Sequence, residues 1–309
     1  MFTYSQNEME LIRQIEECNS EFLLTREKEK QLTRKSQFSY KRYKRSAEFQ
    51  LTMRKYRKQY GVAHYPSKVK DLQWNSQKKA AALYLKADKK VVVYTCIAGK
   101  YDTVNEPRFR MNPNVSYVLF TDQDIKSDVW DVRKIPEQLA DMDGVRINRY
   151  LKMHPHEYLG EFDYAIYVDG NVQIISDMSG LANLINDEVG FAMHYHNVRN
   201  CVYQEAVACQ CLKKGNPLGI TKDVERYLKM GYPRENGLLE CTVFVTDLHS
   251  DASKKIYDQW WEEFLKSESK RDQLSLPIVL WKNKIPVEKV GTLGSNLYRN
   301  PKFRVMSHI

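Results

Sequence analysis

A chain of 309 residues, 42% hydrophobic and 28% charged, is long enough for one large α/β domain with an appendage, or for two ordinary domains. No apolar stretch approaches the roughly 20 residues that cross a bilayer, and the start MFTYSQNEMELIRQ lacks the basic flank and apolar core of a signal peptide, so the expected location is cytoplasmic, at most peripheral at the inner membrane face. The net charge of +9 is unevenly spread: residues 26–58 hold thirteen Lys/Arg against Glu27, Glu29 and Glu48, whereas residues 90–309 are close to neutral.

Residues 1–89 contain one glycine, Gly61, and are rich in Glu, Lys, Arg and Gln, which favours a basic α-helical extension. Leu11, Ile15, Cys18 and Phe22 line one helical face, enough for helix pairing and a homo-oligomer but too short to establish a coiled coil. Beyond them Arg34, Lys35, Lys41, Arg42, Lys44 and Arg45 interleave with Phe38, Tyr40 and Tyr43. That mixture suits a solvated helical face or an anionic membrane surface. It also suits single-stranded nucleic acid, but no RNA-binding signature accompanies it.

From residue 90 the texture changes to short β-branched runs between helical stretches. Residues 90–97 (KVVVYTCI), 115–121 (VSYVLFT), 129–135, 164–168 (YAIYV), 189–194 and 239–245 read as strands. Residues 148–159, 178–186, 201–213, 222–230, 252–267 and 272–282 read as helices. This alternation predicts a mainly parallel, Rossmann-like α/β sheet over residues 90–309, with ligands beyond the carboxyl ends of its strands.

The first such end is T-C-I-A-G-K-Y-D, from Thr95 to Asp102. Its lone glycine supports neither a dinucleotide fingerprint nor a P-loop. As a small-residue turn it offers Thr95 and Ala98, an aromatic, Tyr101, that can stack on a base, and Asp102 to accept hydrogens from base or ribose; an ordinary strand-to-helix turn explains it as well. Arg146, Arg149 and Lys152 lie at i, i+3 and i+6 on a predicted helix where cations can meet a diphosphate, or where a basic face is merely solvated.

The fourth strand delivers Asp169-Gly170-Asn171. Two hard oxygen donors at a tight bend suit a divalent cation bridging phosphates, yet Asp-Gly between apolar runs is also a hairpin signal. In His194-Tyr195-His196 strand alternation predicts both rings on one face, with Glu205 as a carboxylate to complete a metal site; binding of substrate hydroxyls by His196, Arg199 and Glu205, or plain packing, competes with it. Glu240, inside an apolar strand, is costly to bury unless partnered or functional. Asp272 reads equally as a helix N-terminal acid. The six cysteines lack the spacing of a small secreted framework and read as reduced thiols, and Cys209-x-Cys211 is not the C-x-x-C of a structural zinc site.

In order, T-C-I-A-G-K-Y-D, F-T-D at Phe120 to Asp122, N-R-Y-L-K-M-H-P-H at Asn148 to His156, Y-V-D-G-N at Tyr167 to Asn171, H-N-V-R-N-C-V-Y-Q-E and S-K-R-D-Q-L-S at Ser269 to Ser275 resemble a glycosyltransferase-like family. That family, long known only as a domain of unknown function, occurs in bacterial polysaccharide loci and plant wall-polysaccharide proteins. The resemblance covers roughly residues 90–309. It implies a GT-A fold with a nucleotide-binding half and an acceptor-binding half, and a role in surface polysaccharide biosynthesis with a nucleotide-diphosphate sugar as donor and a glycan or lipid-linked glycan as acceptor.

The resemblance also implies Mn2+ or Mg2+ held by Asp169 and Asn171, although Asn171 stands where that motif has a second aspartate. Asp122 falls in the nucleotide half. By looser similarity to retaining enzymes of the glycogenin type, His308 is the third metal ligand, Asp272 and Gln273 lie beside the reacting sugar, Glu240 sits in or near the acceptor half, and Arg271 at the same helix start is a substrate-binding residue. Two other readings follow from the same features: a nucleotide-sugar or glycan binder without turnover, and a basic adaptor acting through its N-terminal helices.

Overall fold

The computed structural model describes residues 88–99, 104–107, 112–197, 199–212, 214–294 and 296–306, with Leu51 and Leu85. The expected seam at residues 11–22, the basic stretch 26–58 apart from Leu51, Tyr101, Asp102 and His308 lie outside the described residues.

The frame is a six-stranded sheet. In chain order its strands are β1 (Val91–Ile97), β2 (Val115–Thr121), β3 (Asp131–Lys134), β4 (Tyr164–Val168), β6 (Phe191–Tyr195) and β7 (Leu239–Asp247), and their spatial order is β3-β2-β1-β4-β7-β6. The first four run parallel. β7 is antiparallel to both β4 and β6, so five of the six strands point the same way. This is the mainly parallel α/β sheet that the alternation predicts.

Period-two alternation explains why β1 is central. Val92, Tyr94 and Cys96 enter one apolar layer and Val91, Val93 and Ile97 the other, as successive side chains of a strand must. The first layer is covered by α1 (Gly144–Met153), α5 (Asp251–Lys266) and α6 (Asp272–Lys282). A third apolar cluster joins α3 (Val202–Cys211), α4 (Pro217–Lys229) and the start of α6. Cys96, Cys201, Cys209 and Cys241 are buried free thiols.

Several boundaries differ from expectation for local reasons. α1 starts four residues early because Asp143 caps it, accepting from the Arg146 amide at 2.9 Å. It stops at Met153 because Pro155 disfavours the helical region for His154, which takes φ −124° and ψ 47°; the chain resumes as the single turn α2 (Pro155–Tyr158). α4 likewise starts early, with Asn216 as cap and Pro217 in the first turn. The helix expected at residues 178–186 is a 3-10 stretch, Ser179–Leu184. Two strands escape the sequence reading, β5 (Val172–Ile174) and β8 (Phe303–Val305), which form a separate antiparallel pair. No helix among the described residues is long and apolar enough to cross a membrane.

Candidate active site

β1 and β2 end side by side at Ile97 and Thr121, and Val168 at the end of β4 lies opposite Val243 of the reversed strand β7. The start of β7, with Glu240, therefore shares the edge where the parallel strands finish. There the turn after β1 is tightly clipped. Both carboxylate oxygens of Asp122 accept from the Gly99 amide at 3.0 and 2.9 Å, the Thr121 hydroxyl donates to Ile97 O at 2.7 Å, and Asn148 Nδ2 donates to Cys96 O at 2.7 Å. Gly99 has φ +72°, a conformation that side chains resist. Thr95 faces the core, where its hydroxyl has no hydrogen-bond partner, while Ala98 stands at the turn, its carbonyl close to the first residue of α1.

Beside this turn three cations converge. Lys152 of α1 is only 1% exposed, and its Nζ lies 2.7 Å from Asp272 Oδ2, 3.7 Å from Asp169 Oδ1 and 4.7 Å from the centroid of the Tyr167 ring. A buried ammonium is tolerated only with such partners. Arg149 Nε meets the same Asp272 oxygen at 3.0 Å, one helical turn before Lys152. Arg271 is within electrostatic reach of Asp272, Arg149 and Glu205, and its buried Nε makes no hydrogen bond. Burial alone would raise the Asp272 carboxyl; Arg149, Lys152 and Arg271 outweigh it and hold the group well below the usual carboxylate range. Arg146, on the same helix, pairs with Asp143 at the surface instead.

At the Asp169 turn the Val172 amide donates to Asp169 O at 2.9 Å, so the bend is closed locally, but β4 and β5 belong to different sheets and form no hairpin. Asn105 Nδ2 donates to Gly170 O at 2.9 Å. Asn171 faces the C-terminal strand: its Nδ2 donates to Met306 O at 3.0 Å, its carbonyl accepts from the Met306 amide at 2.8 Å, and its Oδ1 is buried. Asp169 accepts from the Tyr167 hydroxyl at 2.9 Å and its side chain is 32% exposed. Of the two ligands that the resemblance implies here, the Asp169 carboxylate is accessible and Asn171 offers no oxygen outward, so the turn does not fit a divalent cation in the expected way. Among the described residues no three His, Cys, Asp or Glu side chains form a metal-ligand group.

A second polar cluster gathers His196, Arg199, Glu205, Glu240 and Gln273. Arg199 Nε is paired with Glu205, the Arg199 amide donates to His196 Nδ1 at 3.0 Å, and His196 Nε2 lies 3.5 Å from Glu205 and 3.7 Å from Glu240. Gln273 Nε2 donates to Glu240 at 3.2 Å and to Leu239 O at 3.0 Å. Burial lowers the His196 imidazole to about 4, against the pull of Glu205, so it is neutral at pH 7. Burial and then the Glu205 charge raise the Glu240 carboxyl to about 7, only partly offset by Arg199 and Gln273. The two rings of His-x-His part company. A register shift between Met193 and His194 breaks the alternation, and His194 lies in the core against Asn300 and Phe303.

The two clusters meet at the start of α6, where Asp272 faces the cations and Gln273 faces Glu240. What presents this segment is a buried carboxylate, Asp223 of α4, which accepts from the Ser267 hydroxyl at 2.6 Å and the amides of Glu268 and Ser269 at 3.1 and 2.9 Å. α4 approaches so closely that a Cβ at Gly219 would fall 2.4 Å from Glu268 O. Trp260 of α5 donates to Asp272 O at 3.0 Å and to the Ser275 hydroxyl at 3.1 Å.

Apart from core-facing Thr95, inward-turned Asn171 and the undescribed Tyr101, Asp102 and His308, the candidates named from sequence fall at the clipped turn (Ala98 and Asp122) and in the two neighbouring clusters. Sequence reading missed Asn148, Tyr167 and Asp223. Tyr167 carried a usable signal, since residues i and i+2 of a strand share a face and it precedes Asp169 by two.

A protonatable Glu240 has a measurable consequence. Unfolded Glu titrates near ~4.3, so between that value and about 7 the folded state binds the additional proton and stability falls as pH rises. Glu240→Gln is expected to flatten the dependence of melting temperature on pH across pH 5–8 relative to the unsubstituted chain; superimposable profiles would show that Glu240 is ionised throughout.

Three comparisons place this site in context. A search of curated proteins finds no match. Among solved structures, one titled as the apo structure of the bifunctional glycosyltransferase WbbM is similar with a TM-score of 0.40 and 10% identity, over 69% of this chain and 40% of that one; the chain thus spans well under half of that protein. A family model described as TOD1/MUCI70, glycosyltransferase-like domain, matches residues 24–308. It takes in every block of the resemblance and reaches back into the basic stretch. With nearly the whole sequence matched, the chain belongs to the TOD1/MUCI70 glycosyltransferase-like domain family.

Proposed function

We propose that the chain transfers a sugar from a nucleotide-diphosphate sugar to a hydroxyl of a glycan or lipid-linked glycan in surface polysaccharide biosynthesis, with retention at the sugar carbon. The observation that carries this reading is the junction at Arg271-Asp272-Gln273, where a cluster with three cations and two carboxylates adjoins a cluster holding a carboxyl that titrates near neutrality. The excess of positive charge suits a diphosphate, and the second cluster suits sugar hydroxyls.

When the bond from sugar carbon to diphosphate breaks, negative charge grows on the departing phosphate. Preorganised cations in a water-poor site stabilise that charge by several kcal/mol. Asp272 is held deprotonated by its cations and is a poor proton acceptor at neutral pH; its part is to hold Arg149 and Lys152 in place and to set negative charge near the developing oxocarbenium ion. Glu240, with Gln273 and His196 around it, orients an incoming hydroxyl and holds its proton. The basic stretch 26–58 is proposed to bring the domain to an anionic membrane surface, where lipid-linked acceptors reside.

The test is release of nucleoside diphosphate by the full chain from a panel of nucleotide-diphosphate sugars, with and without oligosaccharide acceptors. Turnover of at least one donor is expected, and the anomeric coupling constant of the first-formed product reads retention. No turnover with any donor, with or without acceptor, would remove the enzymatic reading.

A further inference from the structure

We infer that the positive charge facing the donor's pyrophosphate is supplied by the chain itself, through Lys152, Arg149 and Arg271, and not by a divalent cation at Asp169-Gly170-Asn171. The inference rests on the glycosyltransferase reading and goes beyond it, because it assigns the counter-charge.

The turn is the first ground. Each of its backbone carbonyls is engaged, that of Asp169 by the Val172 amide, that of Gly170 by Asn105 and that of Asn171 by the Met306 amide. The Asn171 side chain is spent on Met306 O, with its Oδ1 buried. A hard cation takes six or more oxygens or waters, and this turn offers it one carboxylate, Asp169. Rotating Asn171 outward would break the bond from its Nδ2 to Met306 O, just after β8.

The second ground is Lys152. Its buried ammonium lies 3.7 Å from Asp169 Oδ1 and 2.7 Å from Asp272 Oδ2. A divalent cation on Asp169 would sit next to a fixed ammonium, and like charges that close repel. A phosphate oxygen there would be drawn by Lys152, Arg149 and Arg271 together, against the repulsion of the Asp169 and Asp272 carboxylates. Arg271 is the third ground: its buried Nε has no hydrogen bond, although a guanidinium finds bidentate partners readily. A phosphate beside Asp272 would satisfy that donor.

The experiment is calorimetric titration of the full chain with UDP, GDP, ADP and CDP, in EDTA and again in excess Mn2+. At least one nucleoside diphosphate is expected to bind in EDTA, with a dissociation constant changed less than about threefold by Mn2+. Arg271→Gln and Lys152→Met are each expected to weaken that binding about tenfold or more. Should Lys152→Met fail to fold, Arg271→Gln decides, since Arg271 Nε has no hydrogen bond to lose. Binding that disappears in EDTA and returns with Mn2+ overturns the inference and leaves the glycosyltransferase reading standing. Metal-free binding indifferent to Arg271→Gln also overturns it. Binding of no nucleoside diphosphate under either condition overturns both.

Discussion

Asp272→Ala is expected to destabilise the fold by about 3–5 kcal/mol, the usual cost of removing one partner from a buried ion pair, and so to lower the melting temperature by roughly 10 °C. Lys152 has almost no access to water and would be left with Asp169 at 3.7 Å as its nearest counter-ion, while Arg149 would lose the same partner. The effect carries its own pH signature. Because the folded carboxyl is held below its ordinary range, its stabilisation is complete above the unfolded value near ~3.9 and is lost as pH falls further. Melting curves of the two proteins should therefore lie far apart at pH 7 and draw together below about pH 4. A constant gap down to low pH would mean that the pair contributes through packing and not through charge.

Trp260→Ala is expected to cost a similar ~3–5 kcal/mol, the range for emptying a buried aromatic site. The indole is fully buried against Phe244 and Tyr257, and it also holds the Asp272 carbonyl and the Ser275 hydroxyl. Trp260→Phe separates the two contributions: most of the volume stays, the donor goes, and the loss should fall to about 1–2 kcal/mol. Chemical denaturation measures both variants. Equal losses would show that the hydrogen bond, and not the volume, dominates.

Much of the frame could be read in advance because its signals are local. The alternation of Val91 to Ile97 and the apolar run Tyr164 to Val168 stated strands outright, and both stand where expected. α6 was legible to the residue despite Pro277 in its interior. What escaped is non-local. β5 and β8 are three residues each and pair across most of the domain, and no composition rule announces so short a strand. Asp143 and Asn216 cap helices ahead of the apolar repeats that suggested them.

The site divides in the same way. Residue types were legible: cations on α1, an acid after β4, an acid in an apolar strand, an acid at a helix start. Their pairings were not, because Lys152 and Asp272 are 120 positions apart and Asn171 and Met306 are 135 apart. Asn171 suggested a ligand from its neighbours in sequence, and its partner in space decided where the side chain points.

On the proposed reading, Lys152 would tie donor recognition to the durability of the fold. The ammonium that a phosphate must recruit is already satisfied by two carboxylates, so whatever tightens that internal pairing hardens the empty protein and competes with the donor. Substitutions selected for heat resistance near α1 and α6 should then tend to cost donor affinity, whereas a bound diphosphate should raise resistance to heat, as any ligand of the native state does. If that reading holds, the same few ångströms of buried charge set how far this domain can be stabilised before it stops answering to a donor.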